Sequence, residues 1–292
     1  MRATKLYVIG LALAGLAGCG TALAAEHEPV WVAPASSTPA TVAPAPAASS
    51  SRAKVPARPS SPPATSAPAT SAPATSPPAS AAPATHAPEQ HGGPANSLMV
   101  TGQKGVALTF DDGPDPEQTP KLLDLLAAQG VKATFCVVGE NVQAHPDLVR
   151  RIAAEGHTLC NHTWDHDLKL GKKKPEKIHK DLARTNDAIW AAVPDAEIAF
   201  MRAPGGNFTP AFVREARKLG MASIYWQVDT RDWDHSGGES PGKHQSMVIR
   251  SVKKHVSDGA IVLSHDYAQP DTIKAYEKLI PWLKKRFTLI AL

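Results

Sequence analysis

The sequence predicts an α/β domain built on a parallel sheet of about seven strands that is flanked by helices. From Lys104 onward, short apolar runs alternate about seven times with segments of helical periodicity, and this alternation is typical of a parallel sheet. Polar side chains of catalytic types follow several of the predicted strands, and parallel sheets place their active sites at those ends. The pattern leaves a nearly closed barrel and an open doubly wound sheet as alternatives.

The individual elements follow from local periodicity and from the residues that end helices. Leu122, Leu123, Leu125 and Leu126 give the first helix one apolar face, and Gly130 is a natural C-terminal stop. Strands are expected at residues 106–110, 133–138, 158–161, 199–202, 222–228, 260–264 and 288–290. Helices are expected at residues 119–129, 146–155, 175–192, 210–219, 245–256 and 272–287, the last with a kink at Pro281.

Composition divides the chain into three parts. Of its 27 prolines, 16 lie before Ser97, in a stretch rich in Ala, Pro, Ser and Thr that cannot bury enough apolar surface to offset the entropy of ordering. We therefore expect an export signal at residues 1–24, a disordered, semi-stiff linker at 25–100 and one folded domain at 101–292. A domain of about 190 residues can bury a complete core.

The first segment is predicted to direct export. Arg2 and Lys5 precede an apolar run of 11 residues, which is too short to span a bilayer as a mature helix. Two cleavage sites compete. Residues 16–19 (Leu-Ala-Gly-Cys) are typical of a bacterial lipoprotein signal and would place a lipid on Cys19, whereas Ala22 and Ala24 fit ordinary secretion. The lipoprotein interpretation is favoured, and with either site the domain works outside the cytoplasm.

The remaining cysteines form one even pair. If Cys19 is lipidated, Cys136 and Cys160 are left, and an oxidising compartment allows a disulfide between them. Each lies near the end of a predicted strand, which favours their proximity. Two buried free thiols are the alternative. We do not expect either cysteine to bind a metal, since better ligands are present.

The charge balance argues against a nucleic-acid partner. The formal net charge is only +4 over 292 residues, whereas a nucleic-acid-binding domain would have a strong basic excess on one face. A lipid on Cys19 would be the only expected link to a membrane. A run of three lysines at residues 172–174 is interpreted as a solvated loop.

Polar residues cluster after five of the predicted strands. In chain order they are Asp111 and Asp112, His162 and His166, Arg202, Asp229 and Asp232, and His265. Two adjacent carboxylates after a buried strand are costly unless a cation or a proton shares the site. Two histidines four residues apart can face one side of a turn, as metal ligands require. One carboxylate and two histidines would make a three-ligand metal site, and a second carboxylate and a third histidine would supply a base and an acid.

These residues resemble the five motifs of the polysaccharide deacetylase family, carbohydrate esterase family 4, with its NodB homology domain. In chain order the motifs are 109–114 (Thr-Phe-Asp-Asp-Gly-Pro), 162–166 (His-Thr-Trp-Asp-His), 202–206 (Arg-Ala-Pro-Gly-Gly), 229–233 (Asp-Thr-Arg-Asp-Trp) and 263–265 (Leu-Ser-His). The resemblance covers nearly all of residues 104–292. It implies a distorted (β/α) barrel of about seven parallel strands, which agrees with the strand count.

The resemblance also implies roles for individual residues. One divalent metal ion, usually zinc in this family, would be bound by Asp112, His162 and His166. Proton transfer would use Asp111 as general base held by Arg202, and His265 as general acid oriented by Asp232. Substrate contacts would come from Gly205, Trp233 and Leu263, the last two lining an acetyl pocket. At Gly205 the sequence departs from the family, whose members often carry an aromatic residue there; glycine keeps the backbone amide and lacks the ring.

The implied activity is metal-dependent removal of N-acetyl groups from a glycan that contains N-acetylglucosamine. An enzyme held outside the cytoplasm on a long linker would lie next to cell-wall glycan, which favours a peptidoglycan or chitin-type substrate. An acetylxylan O-esterase is the first alternative, because the same residues hydrolyse esters. A catalytically silent envelope glycan-binding protein is the second, and its expected signature is the loss of Asp111 or His265. The expected partner is the acetylated glycan, and we expect a monomer.

Overall fold

The computed structural model describes residues 92–235, 238 and 240–292. The expected export signal, the lipidation candidate Cys19 and the expected linker up to residue 91 lie outside these residues. Within the described ranges, no helix combines the length and the apolar character that a membrane span requires.

The described residues form one parallel sheet covered by helices. Its strands are β1 (Val106–Asp111), β2 (Thr134–Val137), β3 (Thr158–Asn161), β4 (Phe200–Met201), β5 (Ala222–Ser223), β6 (Val228–Asp229), β7 (Ile261–His265) and β8 (Leu289–Ile290). The helices are α1 (Gln118–Gln129), α2 (Gly139–Ala144), α3 (Pro146–Ala154), α4 (Pro175–Ala192), α5 (Pro210–Lys218), α6 (Pro241–His255) and α7 (Pro270–Lys284).

The strand order explains how distant parts of the chain reach one site. Neighbouring strands follow the order β5-β4-β3-β2-β1-β7-β6, and β8 pairs with the start of β1. Every pairing is parallel, so the carboxyl ends of all strands lie at the same edge. The seven strands of this order form a curled half-barrel, and the expected distorted (β/α) barrel of about seven parallel strands is confirmed.

Burial on both faces accounts for the central strands. All six residues of β1 and all four of β2 are buried, as expected for parallel strands that helices cover. Helix α1 buries its leucine face against this core and ends at Gly130, whose φ of 61° is left-handed. The predicted stop at Gly130 is therefore confirmed. Pro281 lies inside α7, which continues past it to Lys284.

The prediction of a single strand at residues 222–228 is wrong. The structure contains two strands there, β5 beside β4 and β6 beside β7, at opposite ends of the sheet. The apolar residues between them look continuous with a strand in sequence. The backbone at Tyr225 instead pairs elsewhere: its N–H donates to the carbonyl of Leu98, and its carbonyl accepts from the side chain of Arg202.

Residues 92–100, which composition assigned to the linker, lie against the domain. Leu98 forms a parallel bridge with Ile224 just after β5, and Val100 forms an antiparallel bridge with Ala260 just before β7. These apolar residues thus connect the β5 end of the sheet to the start of β7. The packed part of the chain extends at least to Gly92.

Cys136 and Cys160 are joined by a disulfide between β2 and β3. Both side chains are fully buried. Cys136 is in register with Asp111 of β1, and Cys160 stands two residues before His162. The covalent bond therefore lies just below the sheet edge that carries the polar residues.

His157, directly before β3, is a buried histidine whose environment favours the neutral ring. Its Nδ1 accepts the backbone N–H of Ala133 at 3.1 Å, so a proton on that nitrogen would break the hydrogen bond. Burial, assisted by the charge of Lys132, lowers the pKa of His157 to about 4. The ring also packs edge-on against Phe135, with centroids 5.3 Å apart.

We expect the free energy of unfolding to fall as the pH decreases from about 6.5 to about 4, since over this range the unfolded chain takes up a proton on His157 that the folded chain does not. The contribution is up to about 3 kcal/mol. Chemical denaturation across this pH range checks the expectation. His157→Gln, which can still accept from Ala133 but does not titrate, should flatten the dependence, while the exposed control His255→Gln should not. An identical pH dependence in His157→Gln and wild type would contradict it.

Candidate active site

Asp111 forms a buried ion pair with Arg202 at the carboxyl end of β1. Oδ1 of Asp111 accepts a hydrogen bond from Nη1 of Arg202 at 2.6 Å, and the two residues are 2% and 0% exposed. Nη1 also donates to Oγ1 of Thr109 at 2.8 Å, and Nη2 donates to the carbonyl of Tyr225 at 3.0 Å. The guanidinium therefore balances the carboxylate charge and holds it in one orientation.

Asp112, His162 and His166 converge beside this pair and are called here the three-ligand group. Oδ1 of Asp112 lies 3.2 Å from Nε2 of His162 and 3.3 Å from Nε2 of His166. One donor atom from each residue lies within 4.8 Å of the others. Ligand atoms that surround zinc tetrahedrally at ~2.1 Å are roughly 3.4 Å apart, so the spacing fits a divalent ion. It is the one group with such geometry that is found among the described residues.

The backbone around His162 sets the tautomer of its ring. Nδ1 of His162 lies 2.8 Å from the carbonyl oxygen of Arg202. Because that oxygen can only accept, Nδ1 carries the proton in the neutral ring, and Nε2, the nitrogen nearer to Asp112, is the one left to bind a metal. Arg202 thus orients the proposed base through its side chain and a proposed metal ligand through its backbone.

The turn that carries the two histidines depends on side chains that the sequence argument missed. Thr163 and His166 adopt left-handed φ angles of 68° and 55°, which are costly for residues other than glycine. Oδ1 of Asn161 accepts the N–H of Thr163, and Oδ1 of Asp181 accepts the N–H of Trp164, both at 2.9 Å. These bonds hold the turn in place, and no local sequence signal marks Asp181, which lies on α4.

Asp112 has a similar support. Its φ of 75° is left-handed, and its carbonyl accepts a hydrogen bond from Nδ2 of Asn141 at 2.7 Å. Burial disfavours the charged carboxylate, but the neighbouring histidines His166, His162 and His265 outweigh burial and hold the pKa of Asp112 well below its ordinary value. The carboxylate is therefore charged at neutral pH, as a metal ligand must be.

His265, at the end of β7, is held by Asp232. Oδ1 of Asp232 lies 2.8 Å from Nδ1 of His265, and Oδ2 accepts the backbone N–H of the same residue at 2.8 Å. Oδ2 also accepts from the hydroxyl of Thr272 on α7 at 2.6 Å. Burial alone would lower the pKa of His265, but Asp232, helped by Asp112 and Asp111, raises it to about 10. The ring is thus a charged proton donor at neutral pH.

The Asp111–Arg202 pair and the His265–Asp232 pair lie at the ends of neighbouring strands. Asp111 and His265 are register partners of β1 and β7, so the expected base and the expected acid end adjacent strands. The structure therefore brings together seven of the residues predicted from the sequence. They are Asp111, Asp112, His162, His166, Arg202, Asp232 and His265.

The three expected substrate contacts occupy different environments. Gly205 adopts a left-handed φ of 59° within the 3₁₀ turn Pro204–Gly206, where its missing side chain leaves the backbone accessible. Trp233 is 38% exposed, and its ring lies 5.4 Å from the guanidinium of Arg231. Leu263 is buried within β7. All three stand at or next to strand ends that carry the site, and their contact with substrate stays a prediction.

Comparison with known proteins identifies the family. The family model for polysaccharide deacetylase matches residues 99–224. A chitooligosaccharide deacetylase from Bradyrhizobium sp. (strain ANU 289) is 38% identical over 200 residues, which are 64% of this chain and 88% of the relative. The chain belongs to the polysaccharide deacetylase family. A peptidoglycan-N-acetylglucosamine deacetylase from Bacillus cereus is 36% identical to this chain over 190 residues, which are 63% of this chain and 84% of the relative.

Solved structures share the fold. The Bc1960 peptidoglycan N-acetylglucosamine deacetylase is 34% identical with a TM-score of 0.59, covering 68% of this chain and 88% of that one. A CE4 family pseudoenzyme from Bacillus anthracis is 26% identical with a TM-score of 0.60, covering 67% of each chain. Because the fold includes a member described as a pseudoenzyme, activity has to be argued from the site and not from the fold.

Replacing Asp232 should lower the pKa of His265, since the carboxylate is what stabilises the imidazolium. In Asp232→Asn we expect a decrease of at least about one unit, equivalent to about 1.4 kcal/mol. His265 would then lose its proton at a lower pH than in wild type. An NMR titration of the ring signals in metal-free protein measures this directly. Asp234→Asn, two residues along the same loop, is the matched control and should leave the pKa of His265 unchanged. An unchanged pKa of His265 in Asp232→Asn would disprove that Asp232 stabilises the imidazolium.

Proposed function

We propose that this deacetylase removes N-acetyl groups from N-acetylglucosamine units of an extracytoplasmic glycan, either peptidoglycan or a chitin-type oligosaccharide. The observation that supports this best is the arrangement at one sheet edge: the three-ligand group lies beside the Asp111–Arg202 pair, and Asp111 is the register partner of His265, which is paired with Asp232. Metal-assisted amide hydrolysis uses a metal ion that activates water and the carbonyl, a general base for the water and a general acid for the leaving nitrogen. Relatives of both substrate types support the same reaction.

The metal is proposed to be a single zinc ion. Two imidazole nitrogens and one carboxylate oxygen are a typical ligand set for catalytic zinc, and three protein ligands leave a position for water or substrate. A bound ion of this kind polarises the acetyl carbonyl and lowers the pKa of water. The side chains of Asp112, His162 and His166 are the residues that would hold it.

The chain's own residues would move the protons. Asp111 takes a proton from the attacking water, and Arg202 keeps the carboxylate aimed at that water. His265 then donates a proton to the leaving nitrogen as the carbon–nitrogen bond breaks, while Asp232 keeps the ring oriented. Water and the acetamide are consumed, and acetate and the free amine of glucosamine are formed.

Three further residues are proposed to contact the acetyl group. The backbone N–H of Gly205 would donate to the developing oxyanion, where a preformed donor is most effective. Trp233 and Leu263 would enclose the methyl group. Glycine at position 205 keeps the amide but offers no ring to stack on a sugar, so ring contacts must come from other residues.

Two other activities are less well supported. An acetylxylan O-esterase would use the same residues, but the relatives described above act on chitooligosaccharides and peptidoglycan. A silent glycan-binding protein would be expected to lack the base or the acid, and both Asp111 and His265 are present in paired environments. We therefore propose an N-deacetylase.

The enzyme is proposed to be held at the cell envelope by a lipid on Cys19, which would make the long linker a spacer towards its glycan. Intact mass spectrometry of the protein recovered from a bacterial host should find a lipidated N-terminal cysteine. Cys19→Ser should move the protein from the detergent phase to the aqueous phase. An unmodified N-terminus at Ala25 in the wild type would show ordinary secretion instead.

Acetate release by the full mature chain tests the reaction. With zinc, we expect release from N-acetylglucosamine oligomers or peptidoglycan that a chelator abolishes. Asp111→Asn should lower the rate by about 10²–10⁴-fold, because it removes the base. Asp195→Asn, an exposed carboxylate on the loop before β4, is the control and should retain full activity.

The alternatives predict different results in the same assay. Faster release from acetylated xylan than from either N-acetylated glycan would favour the esterase. No release from any of these glycans, in a folded protein with zinc bound, would overturn the proposal.

A further inference from the structure

Asp266 is a buried carboxylic acid with no part in the chemistry described above. It follows His265 directly and is 1% exposed. Its Oδ2 accepts a hydrogen bond from the hydroxyl of Thr119. Its Oδ1 has no hydrogen-bond partner in the part of the chain that the structure describes. Burying an incompletely paired carboxyl group costs free energy, so its presence requires an explanation beyond packing.

Thr119 connects Asp266 to the turn after β1. While its hydroxyl donates to Asp266, its oxygen accepts the backbone N–H of Asp115 at 2.7 Å. Oδ2 of Asp115 in turn accepts the backbone N–H of Ala268 at 2.9 Å. These hydrogen bonds close a ring that joins the segment after β1 to the segment after β7. The segments so joined carry the proposed base and the proposed acid.

The start of α1 is fixed by the same ring. Oδ1 of Asp115 accepts the backbone N–H groups of Glu117 and Gln118 at 2.7 and 2.9 Å, which satisfies two donors that a helix start leaves open. Thr119 itself is a residue of α1. The helix therefore anchors the ring and keeps Thr119 facing Asp266.

The carboxyl group of Asp266 also packs on the backbone next to Asp112. A Cβ atom on Gly113 would lie 2.5 Å from both of its oxygens, so only glycine fits at this position without displacing the group. The backbone N–H of Asp266 donates to the carbonyl of Asp111 at 3.2 Å. A change at Asp266 is thus transmitted directly to the turn that carries the base and a metal ligand.

We propose that Asp266 is a positioning residue that keeps the Asp111–Gly113 turn in a fixed place relative to His265. It acts through Gly113 and through the hydrogen bond from Thr119. The inference rests on the proposed function, because it assumes the roles of Asp111 and Asp112. Misplacement of a catalytic group by about 1 Å can cost about 10²-fold in rate, and loss of a group that orients metal ligands typically costs about 10–100-fold in metal affinity or activity.

Three variants of the full chain test this role. Asp266→Ala removes the acceptor, Asp266→Asn keeps an acceptor for Thr119, and Thr119→Val removes the donor. Isothermal titration with zinc alone gives the metal affinity, and acetate release from N-acetylglucosamine oligomers gives kcat and KM. Thr158→Val is the matched control, since it removes a hydroxyl that bonds Leu292 at the opposite edge of the sheet.

We expect Asp266→Ala to weaken zinc binding and to lower kcat, each by about 10-fold or more, with little change in KM. Asp266→Asn should recover most of both losses. Thr119→Val should resemble Asp266→Ala, and combining the two should add little, because both break the same hydrogen bond. Thr158→Val should match the wild type in zinc affinity and kcat.

Two results would overturn the inference. One is an Asp266→Ala protein that melts at a lower temperature but keeps wild-type zinc affinity and kcat, since that role is only structural. The other is an Asp266→Asn protein as impaired as Asp266→Ala. If Asp266→Ala does not fold, Asp266→Asn and Thr119→Val still decide the question. A wild type that binds zinc but releases no acetate would refute the proposed function, whereas the zinc titrations would still test the positioning role.

Discussion

The site depends above all on the buried ion pair between Arg202 and Asp111. Removing either partner would leave the other as an uncompensated charge buried in the core, which typically costs about 3–5 kcal/mol of stability. The same arginine donates to the carbonyl of Tyr225 after β5, and its own carbonyl holds the ring of His162 after β3. One residue therefore fixes the ends of four strands against one another. The proposed metal ligands and the proposed base take their positions from this arrangement.

The two adjacent carboxylates, Asp111 and Asp112, lie in different surroundings. Asp111 faces the guanidinium of Arg202, while Asp112 turns through a left-handed φ into a set of histidines that lowers its pKa. On the other side, Asp232 keeps His265 protonated to high pH. These different surroundings suit the roles proposed for the three groups, one carboxylate as base, one as metal ligand and one imidazolium as acid, since one site can then carry out opposite proton transfers.

The sequence was sufficient for the sheet and for the chemical groups, but not for what supports them. Strand and helix periodicity marks the buried elements, and residue types after strand ends mark the site, because both signals are local. Asn141 and Thr272 bond to Asp112 and Asp232 across 29 and 40 positions of sequence, so no local pattern shows them. The break between β5 and β6 was missed for the same reason: it depends on Leu98 and Arg202 meeting the backbone of Tyr225.

Fold and activity are set by different parts of this molecule. A CE4 pseudoenzyme shares the half-barrel at 26% identity, so the sheet alone does not ensure catalysis. What the sheet provides is a common edge at which short polar segments meet. Gly206 illustrates how tightly those segments fit: its φ is 68°, and a Cβ there would lie 2.5 Å from the ring of Tyr225 and 2.8 Å from that of Trp226. The rings of Tyr225 and Trp226 therefore pack against the backbone of the turn that contains Gly205 and fix its shape. With the fold and the turn fixed in this way, activity depends on whether the proposed base and the proposed acid are present and correctly placed.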